Sequence, residues 1–306
     1  MNRQVAKQDI EAHYDLTVTS VDPLPGSTRA WRVQADQGVF ILRLFDSKTA
    51  SVHTEEVNVL RFLESSTFPA PRVLPPRNGA SLIFLGGRCG YVTSFIPGDT
   101  PLSTQESAHD LGRVVGRLHA LDAGAQDLQP TQSSISAERE LFRQLDADPS
   151  VQAWAGYDVI RPPLKMAWES ISDLNSTPKT LVHTDITYKN TVRTPDGDMI
   201  LIDWDDAGLG YAVLDIGYFL VNHTVSMEGQ PLPLDSAAAF LRAYLSQHHL
   251  TPSEWDALPD ALIFGSIIYV LAPWDGKVSM KCWQQAEYTI AHATELRDRL
   301  MQATFA

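Results

Sequence analysis

Cysteine is nearly absent: Cys89 and Cys282 are the only two in 306 residues, with no CxxC pair and no Cys/His cluster. That argues against a disulfide framework or a zinc site, and a reducing cytoplasm is the expected location. Long apolar runs are missing too. The longest, residues 261–273, falls short of the roughly 20 residues a bilayer requires, and the N-terminus is polar rather than leader-like, so no membrane segment is expected. The phosphate-binding pattern G-x-x-x-x-G-K-[ST] occurs nowhere, which excludes a P-loop enzyme. Positive charge is in deficit, with a formal net charge of −13. Nucleic-acid affinity depends on cationic contacts, so no nucleic-acid partner is expected.

The charge deficit is unevenly spread. Residues 1–95 carry 10 basic and 9 acidic side chains, whereas residues 96–306 carry 14 basic and 28 acidic. An acidic half attracts a cationic small molecule through its field, although solubility explains it equally well. The length is enough for two lobes with sizeable cores, and there are no repeats or low-complexity tracts.

The most informative segment is residues 181–206, LVHTDITYKNTVRTPDGDMILIDWDD. His183, Asp185 and Asn190 stand in the order H-x-D-x-x-x-x-N; a Pro195-Asp196-Gly197 turn and an apolar strand then deliver Asp203. Phosphoryl transfer needs a carboxylate to orient the attacking hydroxyl and oxygen ligands for magnesium. Asp185 suits the first role, Asn190 and Asp203 the second. The 13 residues from Asn190 to Asp203 fit a β-hairpin, which brings the chain back to where it started. Magnesium is commonly held by one or two such ligands together with phosphate oxygens and water. Protein kinases use the same parts in the same order. Asp205 and Asp206 either reach the metal or a cationic acceptor or are simply solvated acids.

Upstream, residues 31–45 form two strand-like runs around Asp36-Gln37-Gly38, a hairpin signal. The preceding Leu24-Pro25-Gly26-Ser27-Thr28 is either an ordinary turn or a phosphate cover, with the N–H groups of Ser27 and Thr28 as donors. Arg43 interrupts the apolar strand Phe40-Ile41-Leu42-Arg43-Leu44. A cation there needs a counter-charge, and a phosphate gripped by the guanidinium supplies one; the alternative is an edge-strand Arg facing water. Val57, Leu60, Phe62 and Leu63 mark a helix over residues 54–64. A second hairpin turns at Gly86-Gly87. Ser103-Thr104-Gln105-Glu106 reads as a capping box opening a helix with Leu111, Val114, Val115 and Leu118 on its apolar face. Helical patterns recur at residues 137–145, 163–174, 237–248 and 283–301.

On these residues the chain resembles the aminoglycoside phosphotransferase and choline kinase-like family, which shares the protein-kinase-like fold. His183-Thr184-Asp185 through Asn190 stands where that family has HGDLHxxN, Ile202-Asp203-Trp204-Asp205 where it has IDFE or IDWE, and Asp215-Ile216-Gly217 where it has an Asp-Leu-Ala-like segment. The segment from Leu111 to His119 resembles its helix ending in Leu-His. Thr184 replaces the usual Gly, Thr187-Tyr188-Lys189 the usual His-Pro-Gly, and Arg43 the nucleotide-binding Lys.

The resemblance implies an α+β, two-lobe fold. A small antiparallel-sheet lobe, residues 1–95, would bind nucleotide, and a larger, mainly helical lobe, residues 96–306, would hold the catalytic loop and the acceptor. It implies that Glu56 pairs the strand cation, with Glu55 as competitor, and that Asp215 braces the catalytic loop. It also implies that the backbone of residues 93–98, at Thr93 and Phe95, meets the adenine. The expected activity is a kinase moving the γ-phosphoryl group of ATP or GTP, with Mg2+, to a hydroxyl of a small acceptor. An aminoglycoside or another amine-bearing alcohol is favoured, with homoserine, choline-like and sugar acceptors as alternatives. A non-catalytic nucleotide-binding pseudokinase is the competing reading, resting on Arg43 and the sparse phosphate loop. Trp274 is a candidate to line an acceptor pocket.

Overall fold

The computed structural model describes residues 7–123, 127–174, 177–272 and 276–306. Trp274 lies outside them. In chain order the elements are α1 (Lys7–Glu11), β1 (Val18–Pro23), β2 (Ala30–Ala35), β3 (Gly38–Asp46), α2 (Ala50–Ser65), β4 (Ile83–Leu85) and β5 (Arg88–Ser94). There follow α3 (Gln105–His119), α4 (Ile135–Ala147), α5 (Pro149–Gln152), α6 (Tyr157–Ser170), β6 (Thr180–Val182), β7 (Thr191–Arg193), β8 (Met199–Leu201) and β9 (Gly208–Gly210). The last are α7 (Ala212–Asn222), α8 (Asp235–Leu245), α9 (Pro252–Ile267), β10 (Leu271–Ala272), β11 (Lys277–Val278) and α10 (Met280–Phe305). The chain divides into two compact units, Met1–Thr100 with Thr191–Asp205, and Pro101–Asn190 with Asp206–Ala306. Residues 191–205 thus group with the N-terminal unit.

The first unit is built on an antiparallel sheet in the order β1-β2-β3-β5-β4. Strand alternation sorts the side chains of β3. Leu42 and Leu44 enter a core with Tyr14, Trp31, Val33 and Val92, so Arg43 between them projects from the opposite face. There it meets α2, whose Val57, Leu60 and Leu63 are buried. The hairpin read at residues 191–202 is present, with Thr191 opposite Leu201 and Arg193 opposite Met199. Asp203 follows it at once.

The second unit is helical, with small pairings of β6 with β9 and of β10 with β11. Helices α3 and α8 pack closely because Gly112 and Gly116 present no side chain to the backbone of Phe240 and Tyr244. Gly217 of α7 does the same against Ala261 of α9.

Three boundaries differ from the sequence reading. Thr104, not Ser103, caps α3, its Oγ1 accepting from the Ser107 N–H at 3.1 Å, because Thr104 has the extended backbone an N-cap requires. Helix α6 begins at Tyr157, before Pro162 and Pro163, after Gly156 turns in at φ 81°. Helix α9, Pro252–Ile267, overlaps the start of the apolar run and shows no helical stripe in the sequence. Eight of its ten residues from Leu258 to Ile267 are buried around the whole circumference, leaving no 3.6-residue stripe. Its start was nevertheless written as Thr251-Pro252-Ser253-Glu254, a complete capping box with Pro at the first turn.

Placing a Cβ at Gly112 would bring it within 2.1 Å of the Phe240 carbonyl oxygen, so α3 and α8 must separate. Gly112→Ala is expected to destabilise the protein by about 1–3 kcal/mol, read as a lower midpoint in urea unfolding.

Candidate active site

The catalytic-loop residues sit in the second unit. Strand β6 ends at Val182, and the chain turns at His183 and Thr184, whose N–H groups both donate to Asp215, at 2.8 and 2.7 Å. Asp215 lies in the first turn of α7 with its side chain fully buried. Its Oδ2 also meets His119 Nε2 at 3.0 Å. His119 Nδ1 in turn meets the Tyr244 hydroxyl at 2.9 Å, and its carbonyl accepts from Thr180 Oγ1 at 2.8 Å. His119 is therefore a buried link that fixes Asp215. Burial alone would raise the Asp215 pKa, but the His119 hydrogen bond and charge, the His183 charge and the His183 N–H hold it below the usual range. Thr184 has φ 74°, the left-handed region that favours glycine. The family preference for Gly at this position thus has a backbone cause here, and the Asp215 hydrogen bond holds the strained peptide in place.

Asp185 follows directly and is half-buried. Asn190 turns back to it: Nδ2 donates to Asp185 Oδ2 at 2.6 Å and to the Asp185 carbonyl at 3.1 Å. Only the amide oxygen of Asn190 then remains of donor type for a cation. The Tyr218 hydroxyl also hydrogen-bonds to Asp185 and to Tyr269. Burial first, then the charge of Asp185, pushes Tyr269 up to about 12. Asp185, Tyr218 and Tyr269 all line a cavity of about 430 Å³ contained within the second unit. Neither tyrosine stood out in the sequence; Tyr218 directly follows Asp215-Ile216-Gly217, the segment that carries the resemblance, and that position was the only signal.

In the first unit, Arg43 is the hub of a charge cluster. Its Nη1 meets Glu56 Oε1 at 3.1 Å, and Glu56 is only 1% exposed. Glu55 instead accepts from Asn58 at 3.3 Å. Arg43 Nη2 pairs with Asp203 Oδ1 at 2.9 Å and with Asp205 Oδ1. Asp205 is therefore not a solvated acid. Its carboxylate is pushed up, first by burial and then by the charge of Glu56, with Arg43 opposing both. Asp203 keeps about half of its side chain exposed and has φ 67°. One guanidinium among three carboxylates leaves an acidic surplus that a cation would satisfy. The Asp203 carboxylate and, separately, the Asn190 amide oxygen of the second unit are each hard oxygen donors of the kind magnesium takes.

Two other expected contacts are narrowed by the hydrogen bonds around them. Ser27 N–H donates to the Leu24 carbonyl at 3.1 Å, and its Oγ accepts from the N–H groups of Arg29 and Ala30. The turn closes on itself, and Ser27 offers no backbone donor to a phosphate; Thr28 lies exposed at its tip. At the proposed hinge, Thr93 is buried within β5, and the Phe95 N–H donates to the Val39 carbonyl at 3.1 Å. A base contact at Phe95 would fall to its carbonyl. Its ring lies under the Arg32 guanidinium at 4.9 Å.

Residues 21–258 match the family model described as phosphotransferase enzyme family. The chain belongs to this family. The phosphotransferase is 25% identical over 250 residues to a homoserine kinase of Gluconobacter oxydans, covering 78% of this chain and 76% of that one. Among solved structures it resembles an aminoglycoside phosphotransferase from Alicyclobacillus acidocaldarius, with a TM-score of 0.63, 15% identity and coverage of 99% and 98% of the two chains. It also resembles an amicoumacin kinase in complex with AMP-PNP and Ca2+, with a TM-score of 0.60, 15% identity and 96% of each chain covered. The kinase-like fold expected from the sequence is thus the fold of this phosphotransferase: an antiparallel sheet in the N-terminal part and helices in the C-terminal part. Among the described residues, no helix is long and apolar enough to cross a membrane.

The Asp215 network predicts an acid-sensitive contribution to stability. Its folded pKa is lowered, so the contribution is complete above the unfolded value of about 3.9 and is lost as pH falls through the folded one. Asp215→Ala leaves His119 and two buried N–H groups without their acceptor, and a loss of about 3–5 kcal/mol is expected. Chemical denaturation from pH 7 downward should show this loss at neutral pH and a smaller acid dependence in the variant.

Proposed function

We propose that this phosphotransferase moves the γ-phosphoryl group of ATP, with Mg2+, to a hydroxyl of a small amine-bearing acceptor. The observation that carries the reading is the Asp185 carboxylate, held by Asn190 and Tyr218 and opening onto the cavity. A binding module has no need of a base oriented in this way, which argues against the pseudokinase. AMP-PNP on the amicoumacin kinase supports ATP as donor, with GTP as the second option. The acidic residues of the cavity support an amine on the acceptor.

Asp185 orients the acceptor hydroxyl and takes its proton as the oxygen attacks phosphorus. Mg2+, when bound, neutralises phosphate charge; Asn190 and Asp203 are its proposed ligands, and Arg43 positioned by Glu56 is the proposed phosphate contact. In the nucleotide-free chain Arg43 is engaged with Asp203 and Asp205, so gripping a phosphate means exchanging a carboxylate for it. Asp205 contributes by holding the guanidinium. Thr28 and the carbonyl of Phe95 remain as proposed nucleotide contacts. Aminoglycoside, homoserine, choline-like and sugar acceptors all fall within this reaction class.

Phosphate transfer from ATP and from GTP across such acceptors tests the reading. Asp185→Asn is expected to lower kcat by about 10²–10⁴-fold with nucleotide binding retained, and Asp203→Asn to weaken the magnesium dependence. Undiminished transfer by Asp185→Asn would overturn the assignment of the base.

A further inference from the structure

The cavity beside Asp185 is not uniform. Four of its lining residues, Glu138, Leu141, Phe142 and Leu145, lie on α4 at spacings of three and four and so share one face of that helix. The stripe begins with an acid and continues as hydrocarbon for about one turn, about 6 Å from Leu141 to Leu145. The acid end coincides with the catalytic end. Asp206 lies close enough to Glu138 for its charge, after burial, to raise the Glu138 carboxyl, and Tyr269 feels Asp185, Glu138 and Asp206 together. The other end is aromatic. Phe142 stacks with Trp168 at 6.0 Å, and Trp168 meets Phe264 edge-on at 6.0 Å. Leu141 stands 44% exposed beside them, an apolar surface left to water.

We infer that the acceptor is an amphiphilic amino alcohol, with the amine near the reactive hydroxyl and an alkyl or aryl body extending along α4 toward Phe142 and Trp168. This rests on the kinase reading of Asp185 and names its acceptor class. An ammonium group at Glu138 and Asp206 relieves the repulsion between a half-buried carboxylate and an exposed one. Lys179 is the one cation among the described lining residues; it lies over the Tyr211 ring at 5.7 Å and is outnumbered by Asp185, Glu138 and Asp206. A small zwitterion such as homoserine would leave the hydrocarbon end unfilled. A polar polyamine such as an aminoglycoside would have Ser133, Ser134 and Ser136 as hydrogen-bond partners but would set its remaining hydroxyls against Leu141, Phe142 and Leu145. An apolar body on the acceptor satisfies both ends, and cavities of this size bury most of such a ligand.

Calorimetric binding to the full chain, without nucleotide, separates these acceptors. The probes are phenylethanolamine, ethanolamine (the amine without the body), phenethyl alcohol (the body without the amine), homoserine and kanamycin. Phenylethanolamine is expected to bind at least about tenfold more tightly than each of the others. Glu138→Gln and Asp206→Asn should each lower that affinity about tenfold while leaving phenethyl alcohol unchanged, a pattern a merely structural effect would not give. Leu141→Ser, at an exposed position, should narrow the gap between phenylethanolamine and ethanolamine. Equal or tighter binding of ethanolamine, homoserine or kanamycin, or no binding of phenylethanolamine, overturns the inference. Phenylethanolamine bound in the expected pattern but not phosphorylated from ATP or GTP would uphold the pocket and count against the kinase reading. Transfer to kanamycin or homoserine with no preference for the amphiphile would do the reverse.

Discussion

A single carboxylate, that of Asp215, accepts the N–H groups of two successive residues, His183 and Thr184, just before the chain reaches Asp185. Neither N–H belongs to a helix or a sheet ladder, and one lies in a backbone region that a β-branched residue disfavours. Without an internal acceptor, both would have to turn toward water, and the loop would follow. Asp215 in turn is fixed by His119, and His119 by Tyr244 on α8. The orientation of the base is thereby tied to the packing of α3 on α8 and of α7 on α9, where glycines let backbones approach. Helices remote from the chemistry set the direction of one side chain.

The first unit depends on a comparable concentration of charge. Arg43 is forced off the core face by strand alternation and finds Glu56 on α2, Asp203 and Asp205. An arginine suits this position better than a lysine would. Its planar fork serves several carboxylates at once, where a single ammonium acts as a compact point charge.

What the sequence made legible was local and periodic. The hairpin of β7 and β8 was announced by Pro195-Asp196-Gly197, the placement of Arg43 by alternation, and the Glu56 partner by helical spacing within the resemblance. The order of Asp185, Asn190 and Asp203 needed only chain distance. What stayed hidden depends on residues far apart in sequence. Asp205 reads as a surface acid until β3 and α2 are placed against it. Helix α9 has no polar face because it is surrounded. Ser27 and Phe95 spend their N–H groups on neighbours that no motif reveals. The acceptor cavity draws on α4, α6, α9 and Tyr269, where the resemblance carries no motif and only the fold brings the side chains together.

The two compact units are not two successive lengths of chain. The backbone leaves the first unit after Thr100, re-enters it at Thr191 and departs again after Asp205. During synthesis the first unit therefore cannot be completed when its sheet emerges. The Asp99 pairing with Arg193, and the two aspartates that neutralise Arg43, arrive only after the whole first segment of the second unit, Pro101–Asn190, has been made. Until then Arg43 has Glu56 as partner and the first unit lacks its β7–β8 hairpin. Neither unit can be excised as a single continuous segment, so the phosphotransferase is divisible in space but not along its gene.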